Sequence, residues 1–514
     1  MALSDTVRVD WRASLSLVGS VVRFLAVPLT FPTLLALYYG EDPLPFLVTI
    51  LVAVGVGTLM QRLRPDPDLG HRDAFLMVAL TWVAVPLVGM LPYLVAGQGT
   101  VAHPVNALFE SMSGFTTTGA TVLGEISFEQ HSRSMLMWRQ VTQWLGGMGI
   151  VVLMVAILPE LSVGGARLMQ EESPGLSVEK LTPRIRETAR ALWLIYIGLT
   201  VACFAVYFSL NLLGLAPNMG LYNAVAHALT TLPTGGFSPE ARSIEAFTPI
   251  VQWAVIPFMI LAGANFALFW YVIRGQPERL IRNAEFRSYL FAMGVVVTLL
   301  AGLLFLGFGL ETIPENVDTI AGNAENSLRQ ATFQAAAIVT TTGYASMDFN
   351  TWSQSGQTIL LLAMFLGGSA GSAAGSIKII RWYVIQRSIR RELFSTVHPE
   401  AVEAVRVDDS IIDEETIRGL FVFTFVFLTI FALSTVLIFL DANRTGIALS
   451  TGEAMSVAVA TLGNIGPGFG VVGPMNNFLP FSAPAKLYMV LLMWIGRLEI
   501  LSVLVLFSPS YWRS

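Results

Sequence analysis

Ten stretches of the chain are apolar on every face over a length close to the ~20 residues a helix needs to cross a bilayer. They fall at 15–39, 43–61, 74–96, 134–159, 190–214, 247–273, 288–310, 356–385, 419–440 and 486–508. A helix without a polar face belongs in lipid or deep inside a large protein. Four shorter segments lie between pairs of these stretches, too short to span. Each breaks off in a turn rich in threonine or glycine: "SMSGFTTTGAT" at 111–121, "TTLPTGGF" at 230–237, "AAIVTTTGYAS" at 336–346 and "ATLGNIGP" at 460–467. The pattern predicts a spanning helix, a short re-entrant helix, a turn and a second spanning helix, four times over. The first two spans stand outside the repeat.

Aligned on Gly119, Gly236, Gly343 and Gly466, the four segments share more than the glycine. Thirteen positions earlier stands a polar residue: Asn106, Asn223, Gln330 or Glu453. The next position is alanine in every copy: Ala107, Ala224, Ala331 and Ala454. Two positions before the glycine stand Thr117, Thr234, Thr341 and Asn464. Copies 117, 107 and 123 residues apart, each in the same topological slot, mark an internal repeat. Backbone that is not helical survives at membrane depth only where it lines a watery cavity or is buried in protein. Glycine reaches positive φ at no steric cost, so it can aim carbonyls toward a common axis. Four such turns around one axis offer a ring of oxygens able to replace the hydration shell of a monovalent cation. The negative end of each short helix adds to that attraction. The plainer alternative is that each turn merely ends a buried helix.

Composition agrees with the spans. Of 514 residues, 54% are hydrophobic and 13% charged, about half the charge of soluble domains, which excludes a large soluble helical enzyme. The single cysteine, Cys203, allows no disulfide within the chain. The first apolar run lacks a small-residue cleavage site after it and reads as a retained helix. With the N-terminus placed in the cytoplasm, the inner loops collect most of the cations: Arg8 and Arg12, then Arg62, Arg64 and Arg72, then Arg167, Lys180, Arg184, Arg186 and Arg190. Further along come Arg274, Arg279, Arg282 and Arg287, the run from Lys378 to Arg418, and Arg513. The outer side holds only Arg133, Arg139, Arg242, Arg329, Arg444 and Lys486. That asymmetry sets both termini inside. Glu110, Glu125, Glu240, Glu311, Asp348 and Glu453 then lie outside, where they either concentrate cations or simply solvate loops. Residue 320 falls in a long outer loop open to labelling. No Walker A loop, dinucleotide fingerprint or metal-ligand cluster is present among these residues, so neither nucleotide binding nor catalysis is expected of the chain itself.

Two features break the apolar pattern of single spans. "GGSAGSAAGS" at 367–376 places ten consecutive small residues inside the eighth span. It reads either as close helix packing or as an unwound segment, since four glycines in a helix cost about 1 kcal/mol each relative to alanine. Arg497 stands in the middle of the tenth span. It is either a member of a structural ion pair or a positive charge beside an ion path. Glu499, two residues on, points elsewhere on the helix. Residues 387–416 form a polar inner segment, either a solvated linker or a docking surface.

The four turns, with "QWLGGMGIVVLMVAILPEL" (143–161), "KLTPRIRETARALW" (180–193), "GGSAGSAAGSIKIIR" (367–381) and "IGRLEILSVLVLF" (495–507), resemble the TrkH branch of the Trk/Ktr/HKT potassium transporter superfamily over nearly the whole chain. The resemblance implies an all-α polytopic membrane protein: four helix–pore-loop–helix repeats around one pore plus two extra N-terminal spanning helices. The extension occupies 1–70 and the repeats 71–165, 186–280, 285–395 and 415–514. It implies the pore-forming subunit of a bacterial potassium uptake system in the inner membrane. The chain is expected to be a homodimer seated on a cytosolic nucleotide-binding ring of the TrkA type, with no covalent cofactor, no nucleic-acid partner, and potassium as the transported ion. The potassium filter falls on Thr117, Thr118 and Gly119; on Thr234, Gly235 and Gly236; on Thr341, Thr342 and Gly343; and on Asn464, Ile465 and Gly466. The gate falls on Gly367, Gly368, Gly371, Gly375, Lys378 and Arg497. The second turn departs from the others, with Pro233 and Gly235 where the first and third have threonine. A sodium- or proton-coupled symporter on the same fold is the nearest alternative. A permease with inverted repeats is disfavoured because the repeats run parallel.

Overall fold

The computed structural model describes residues 9–64, 71–156, 181–312, 314, 316–401, 403–408 and 410–512. Arg8, Arg167, Lys180, Arg513 and the end of the expected fourth span lie outside these. The described chain is helical, apart from one small antiparallel strand pair, Arg406–Val407 with Ser410–Ile411. Its surface is inverted relative to a soluble protein. Leu51, Phe291 and Phe425 are each more than 70% exposed, while Gln330, Gln334 and Thr461 are wholly buried. Apolar side chains outward and polar ones inward suit lipid as the outer solvent.

Helices α1 (Trp11–Phe24) and α2 (Ala26–Tyr39) make the first span, and α3 (Leu44–Gln61) the second. α1 crosses α3 at Gly19 and Gly57, where a Cβ on either would overlap the other's carbonyl oxygen. Small residues let two lipid-facing helices approach that closely. The next span joins α4 (His71–Gly89) to a short continuation, Leu91–Ala96. The first short helix, α5 (Pro104–Phe115), begins with proline at a position whose N–H has no helical partner. α6 (Arg133–Ala156) and α7 (Leu181–Leu212) follow.

The second short helix is α8 (Leu221–Thr231). Here the expectation of a continuous sixth span fails. α9 (Pro249–Ala262) and α10 (Phe266–Ile273) are bent by 99°. The side chain of Asn265 accepts from the N–H of Ala267 and starts a new helix inside what reads as one apolar run. Hydropathy does not register a cap, so the break was invisible. α11 (Ala284–Phe305) precedes the third short helix, α12 (Ala324–Val339), capped by Asn323. Ile320, expected to be accessible, is buried; its neighbours 318–319 and 321–323 are exposed.

The eighth span is broken into α13 (Gln354–Ala363) and α14 (Ile379–Val397), with no helix across 365–378. α14 carries the start of the supposed linker as helix, and the strand pair follows. α15 (Glu414–Thr445) begins on Asp413, whose carboxylate accepts from the N–H of Thr416, and stops at left-handed Gly446. The fourth short helix, α16 (Thr451–Leu462), starts in a reciprocal capping box between Ser450 and Glu453. The last span also departs from expectation. α17 (Ala483–Arg497) and the helical turn beginning at Leu501 are bent by 108°, with Glu499 at a left-handed φ of +59° between them. The four aligned alanines, Ala107, Ala224, Ala331 and Ala454, are all fully buried on the short helices, which explains the small side chain in each copy.

Candidate functional site

Each short helix ends in the same way. The N–H of Thr117, Thr234, Thr341 and Asn464 donates to the carbonyl three residues back. The N–H of the following residue donates to the carbonyl five back: Thr118 to Ser113, Gly235 to Thr230, Thr342 to Ala337 and Ile465 to Ala460, at 2.8–2.9 Å. These are Schellman caps. Their left-handed position is held by Thr117, Thr234, Thr341 and Asn464, at φ of 52°, 55°, 55° and 53°. A β-branched residue there is a genuine outlier, costing of order 1–3 kcal/mol. Three threonines held this way are overdetermined by their surroundings. Two residues on, Gly119, Gly236, Gly343 and Gly466 are left-handed as well, at 80°, 77°, 73° and 102°. Positive φ at the glycines is as expected; its recurrence at the threonines is not readable from propensity, which argues against it.

The four turns then close on one another. A Cβ on Gly119 would overlap the carbonyl oxygen of Gly235, and one on Gly236 that of Thr342. One on Gly343 would overlap the oxygen of Ile465, and one on Gly466 would crowd that of Thr118, completing the circle. Each glycine therefore lacks a side chain because the next turn's carbonyl occupies that space. A cavity of about 60 Å³ opens on all four glycines and is also lined by Arg139, Ser238 and Glu240. That is room for several waters. Thr117 Oγ1 and Asn464 Oδ1 are buried with no hydrogen-bond partner among the described residues.

Helix α6 supports the ring from outside. Arg139 and Glu110 form an ion pair at 2.8 Å, both essentially buried. The Glu110 carboxylate also accepts from Thr121 Oγ1 and the N–H of Val122, just past the first turn. Arg139 lies over the Phe237 ring at 4.1 Å and donates to the carbonyl of Ser238. One helical turn further, Gln143 donates to the carbonyl of Gly235 at 2.6 Å and accepts from the N–H of Phe237 at 3.0 Å. The sequence reading missed this role for Arg139 and Gln143, and it placed Glu110 among free outer carboxylates. The signal lay in a cluster of polar residues, Arg139, Gln140, Thr142 and Gln143, inside the apolar run at 134–159. Glu453 is likewise engaged, in its capping box.

Beneath the ring lies the break at 365–378. It is buried rather than solvated, and its backbone is tied in several directions. Gly367 N–H donates to Ile377 O, Ser369 N–H to Gly263 O and Ile379 N–H to Gly368 O. Ala370 N–H donates to the carboxylate of Glu285 at 2.6 Å, and Gly375 N–H to Thr341 Oγ1 at 2.7 Å. Gly371 and Ser376 are left-handed. Gly368 abuts the carbonyl of Gly263, and Gly375 that of Gly463. The segment is thus both unwound and closely packed. Arg497 reaches it: Nη1 donates to the carbonyl of Ala373 at 2.7 Å and Nη2 to Gly146 O at 3.4 Å. Lys378 Nζ bonds the carbonyl of Ala374 within the same segment. Glu499, which points away from Arg497, pairs with Arg381. Desolvating the Arg497 guanidinium costs several kcal/mol. Two bonds to neutral carbonyls return about 1.5–3 kcal/mol each at best, a sum comparable to that cost, and Arg497 Nε stays buried with no hydrogen-bond partner among the described residues. The structure brings Gly367, Gly368, Gly371, Gly375, Lys378 and Arg497 into one cluster below the turns.

The TrkH family model, described as a cation transport protein, matches residues 46–514. The Trk system potassium uptake protein TrkH of Salmonella typhimurium is 34% identical over 510 residues, covering 98% of this chain and 99% of its own. The protein of the same name from Halomonas elongata is 35% identical over 507 residues, with the same coverage. The crystal structure of the potassium transporter TrkH from Vibrio parahaemolyticus superposes with a TM-score of 0.82 at 32% identity, covering 98% of this chain and all of the other.

Proposed function

Because the chain belongs to the TrkH family of cation transport proteins, we propose that it is the pore-forming subunit of a bacterial potassium uptake system, conducting potassium through the closed ring of turns. It is a membrane transporter, not an enzyme, and potassium is its cargo. The carrying observation is the circle in which each of Gly119, Gly236, Gly343 and Gly466 faces a carbonyl of the neighbouring turn. Carbonyls fixed around one axis substitute for water around a dehydrated cation. In this reading the filter comprises 117–119, 234–236, 341–343 and 464–466. The repeats run 71–165, 186–280, 285–395 and 415–514 after an N-terminal extension at 1–70.

Arg497 and the segment 367–376 act as the gate, with Lys378 at its inner end. The Arg497 bond to Ala373 holds the segment in place, and the guanidinium opposes cation passage electrostatically. The protein works as a homodimer in the inner membrane, both termini cytoplasmic. A TrkA-type cytosolic ring docks on the basic stretches 279–282 and 387–391. The strand pair at 406–411 lies close by in the chain: Asp408 accepts from the N–H of Ala284 at the start of α11, and the next residue, Glu285, holds Ala370 in the gate. Movement of that inner surface therefore has a short route to the gate. Orientation is testable with Ala321→Cys in the exposed loop, since Cys203 is buried. Labelling from outside intact cells supports it, and labelling only after permeabilisation overturns it.

The decisive experiment is the reversal potential of the purified protein in planar bilayers under opposed potassium and sodium gradients. A potential that follows the potassium gradient alone supports a channel-like pore. One that shifts with the sodium or proton gradient at fixed potassium identifies a coupled symporter instead.

A further inference from the structure

Three of the four ring carbonyls belong to residues with side chains: Thr118, Thr342 and Ile465. The fourth belongs to Gly235, which is not among the left-handed positions, so its backbone does not demand glycine. Its surroundings do. A Cβ on Gly235 would overlap the side-chain amide of Gln143. That amide is fully buried and spans the turn, donating to Gly235 O at 2.6 Å and accepting from Phe237 N–H at 3.0 Å. The two bonds fix its orientation, because a flipped amide would set NH₂ against the N–H of Phe237. Among the described residues, no side chain donates to the carbonyls of Thr118, Thr342 or Ile465. One ring oxygen of four is thus distinguished chemically, by a donor that comes from the preceding repeat.

We propose that Gln143 is a positioning residue that sets cation specificity. Its N–H takes one lone pair of the Gly235 carbonyl and leaves the other for the ion. The positive end of the N–H dipole weakens that oxygen's field at the cation. Ligand number and field strength are among the factors that decide between potassium and sodium in carbonyl filters, and a weaker field favours the larger ion, whose water is cheaper to strip. The same bond holds the one turn that has glycine instead of a bulkier residue. The proposal rests on reading the ring as the ion filter.

The test measures sodium-to-potassium and rubidium-to-potassium permeability ratios in reconstituted bilayers for Gln143→Met and Gln143→Glu, with Gly343→Ser as a control on the ring. Met keeps the length and loses the donor. Glu, when ionised, keeps the shape and turns the donor into an acceptor. Both are expected to raise the sodium-to-potassium ratio, by about threefold to tenfold for the loss of one hydrogen bond. Wild-type ratios in either variant, folded and conducting, alongside an altered Gly343→Ser, overturn the role of Gln143 and leave the filter standing. An unaltered Gly343→Ser overturns the filter reading itself. A second pair keeps the proposal testable if Gln143→Met fails to fold. Gly235→Thr alone should abolish flux by colliding with Gln143. Adding Gln143→Ala should make room, restoring potassium flux with a raised sodium ratio. No recovery in the double variant counts against the proposal.

Discussion

The ring of turns and the segment beneath it are built on opposite plans. At the ring, the four repeats differ in side chain and agree in backbone. Thr-Thr-Gly, Thr-Gly-Gly, Thr-Thr-Gly and Asn-Ile-Gly all adopt one cap, one pair of left-handed residues and one contact with the next turn. Below the ring, the repeats part company. The helix after the first turn, α6, runs unbroken through Ala156, those after the second and fourth are bent, and the helix after the third unwinds. Only the third repeat carries the small-residue segment, and among the described residues it is the fourth that supplies an arginine reaching it. A site made of backbone oxygens tolerates drift in side chains and needs symmetry. A site that opens and closes needs a single movable part and a single latch, so there symmetry has no use.

The largest effect is expected where the ring is broken. Serine at Gly343 must adopt φ near 73° and also meets the carbonyl of Ile465. Left-handed backbone costs about 1–2 kcal/mol, and overpacking typically costs another 1–3 kcal/mol. Both penalties fall on the ring of carbonyls proposed as the filter. Gly343→Ser should lose at least about tenfold in potassium flux or its preference over sodium, and Gly236→Ser should behave alike because it meets Thr342 O in the same way. Tracer uptake by cells lacking other potassium systems is the measure. Wild-type uptake and selectivity in a folded Gly343→Ser protein would remove the ring from the ion path.

Replacing the proposed latch should act differently. Arg497→Ala deletes the donor to Ala373 O and the buried charge together. Basal flux should rise severalfold, by about fivefold if the latch is worth about 1 kcal/mol in the closed state, while the order of permeant cations stays fixed. Arg497→Lys keeps the charge but loses the planar fork, and should fall between wild type and alanine. Flux that remains at the wild-type closed level in both variants, and also after shortening of 367–376, would mean that the segment serves packing alone.

This division also explains what could be read from sequence. Of the ten apolar runs, the described residues show six helices long and apolar enough to span, or eight with each bent pair taken as one; these, the four short helices and the aligned glycines were legible because period, length and repetition are local properties. The unwinding at 367–376 was legible as one of two alternatives because glycine content bears directly on helix cost. The bends at 263–265 and 498–500 were not, because a run such as "VQWAVIPFMILAGANFALFWYVI" is apolar but for Gln252 and Asn265, and hydropathy does not record where a cap restarts the helix. Left-handed threonine was hidden for another reason. Propensity disfavours it, and only the surrounding packing enforces it. The Gln143–Gly235 pairing lies 92 residues apart in sequence, so neither residue carries a local mark of the other.

The smallest effect separates two turns with the same sequence. In the first, Thr116 Oγ1 donates to Met112 O, which leaves Thr118 Oγ1 to donate to Thr116. In the third, Thr340 donates to Ala336 O, and Thr342 donates to Thr340. Both hydroxyl pairs are 2.7 Å long and buried. The difference is Asn464 of the fourth turn, whose Nδ2 donates to Thr118 Oγ1 at 2.9 Å and to Met493 O at 2.9 Å. Thr342→Val removes one neutral hydrogen bond and leaves only a spare lone pair on Thr340, a loss of about 1 kcal/mol. Thr118→Val removes the same bond and also strands a buried N–H of Asn464, which adds roughly 1–3 kcal/mol. Thermal melts in detergent should therefore rank Thr118→Val below Thr342→Val, and the first should also loosen selectivity, since it unties the first turn from the fourth. Equal melting temperatures would show that the tie carries no energy. The first and fourth turns would then be held to each other by their backbones alone, as the symmetric plan requires.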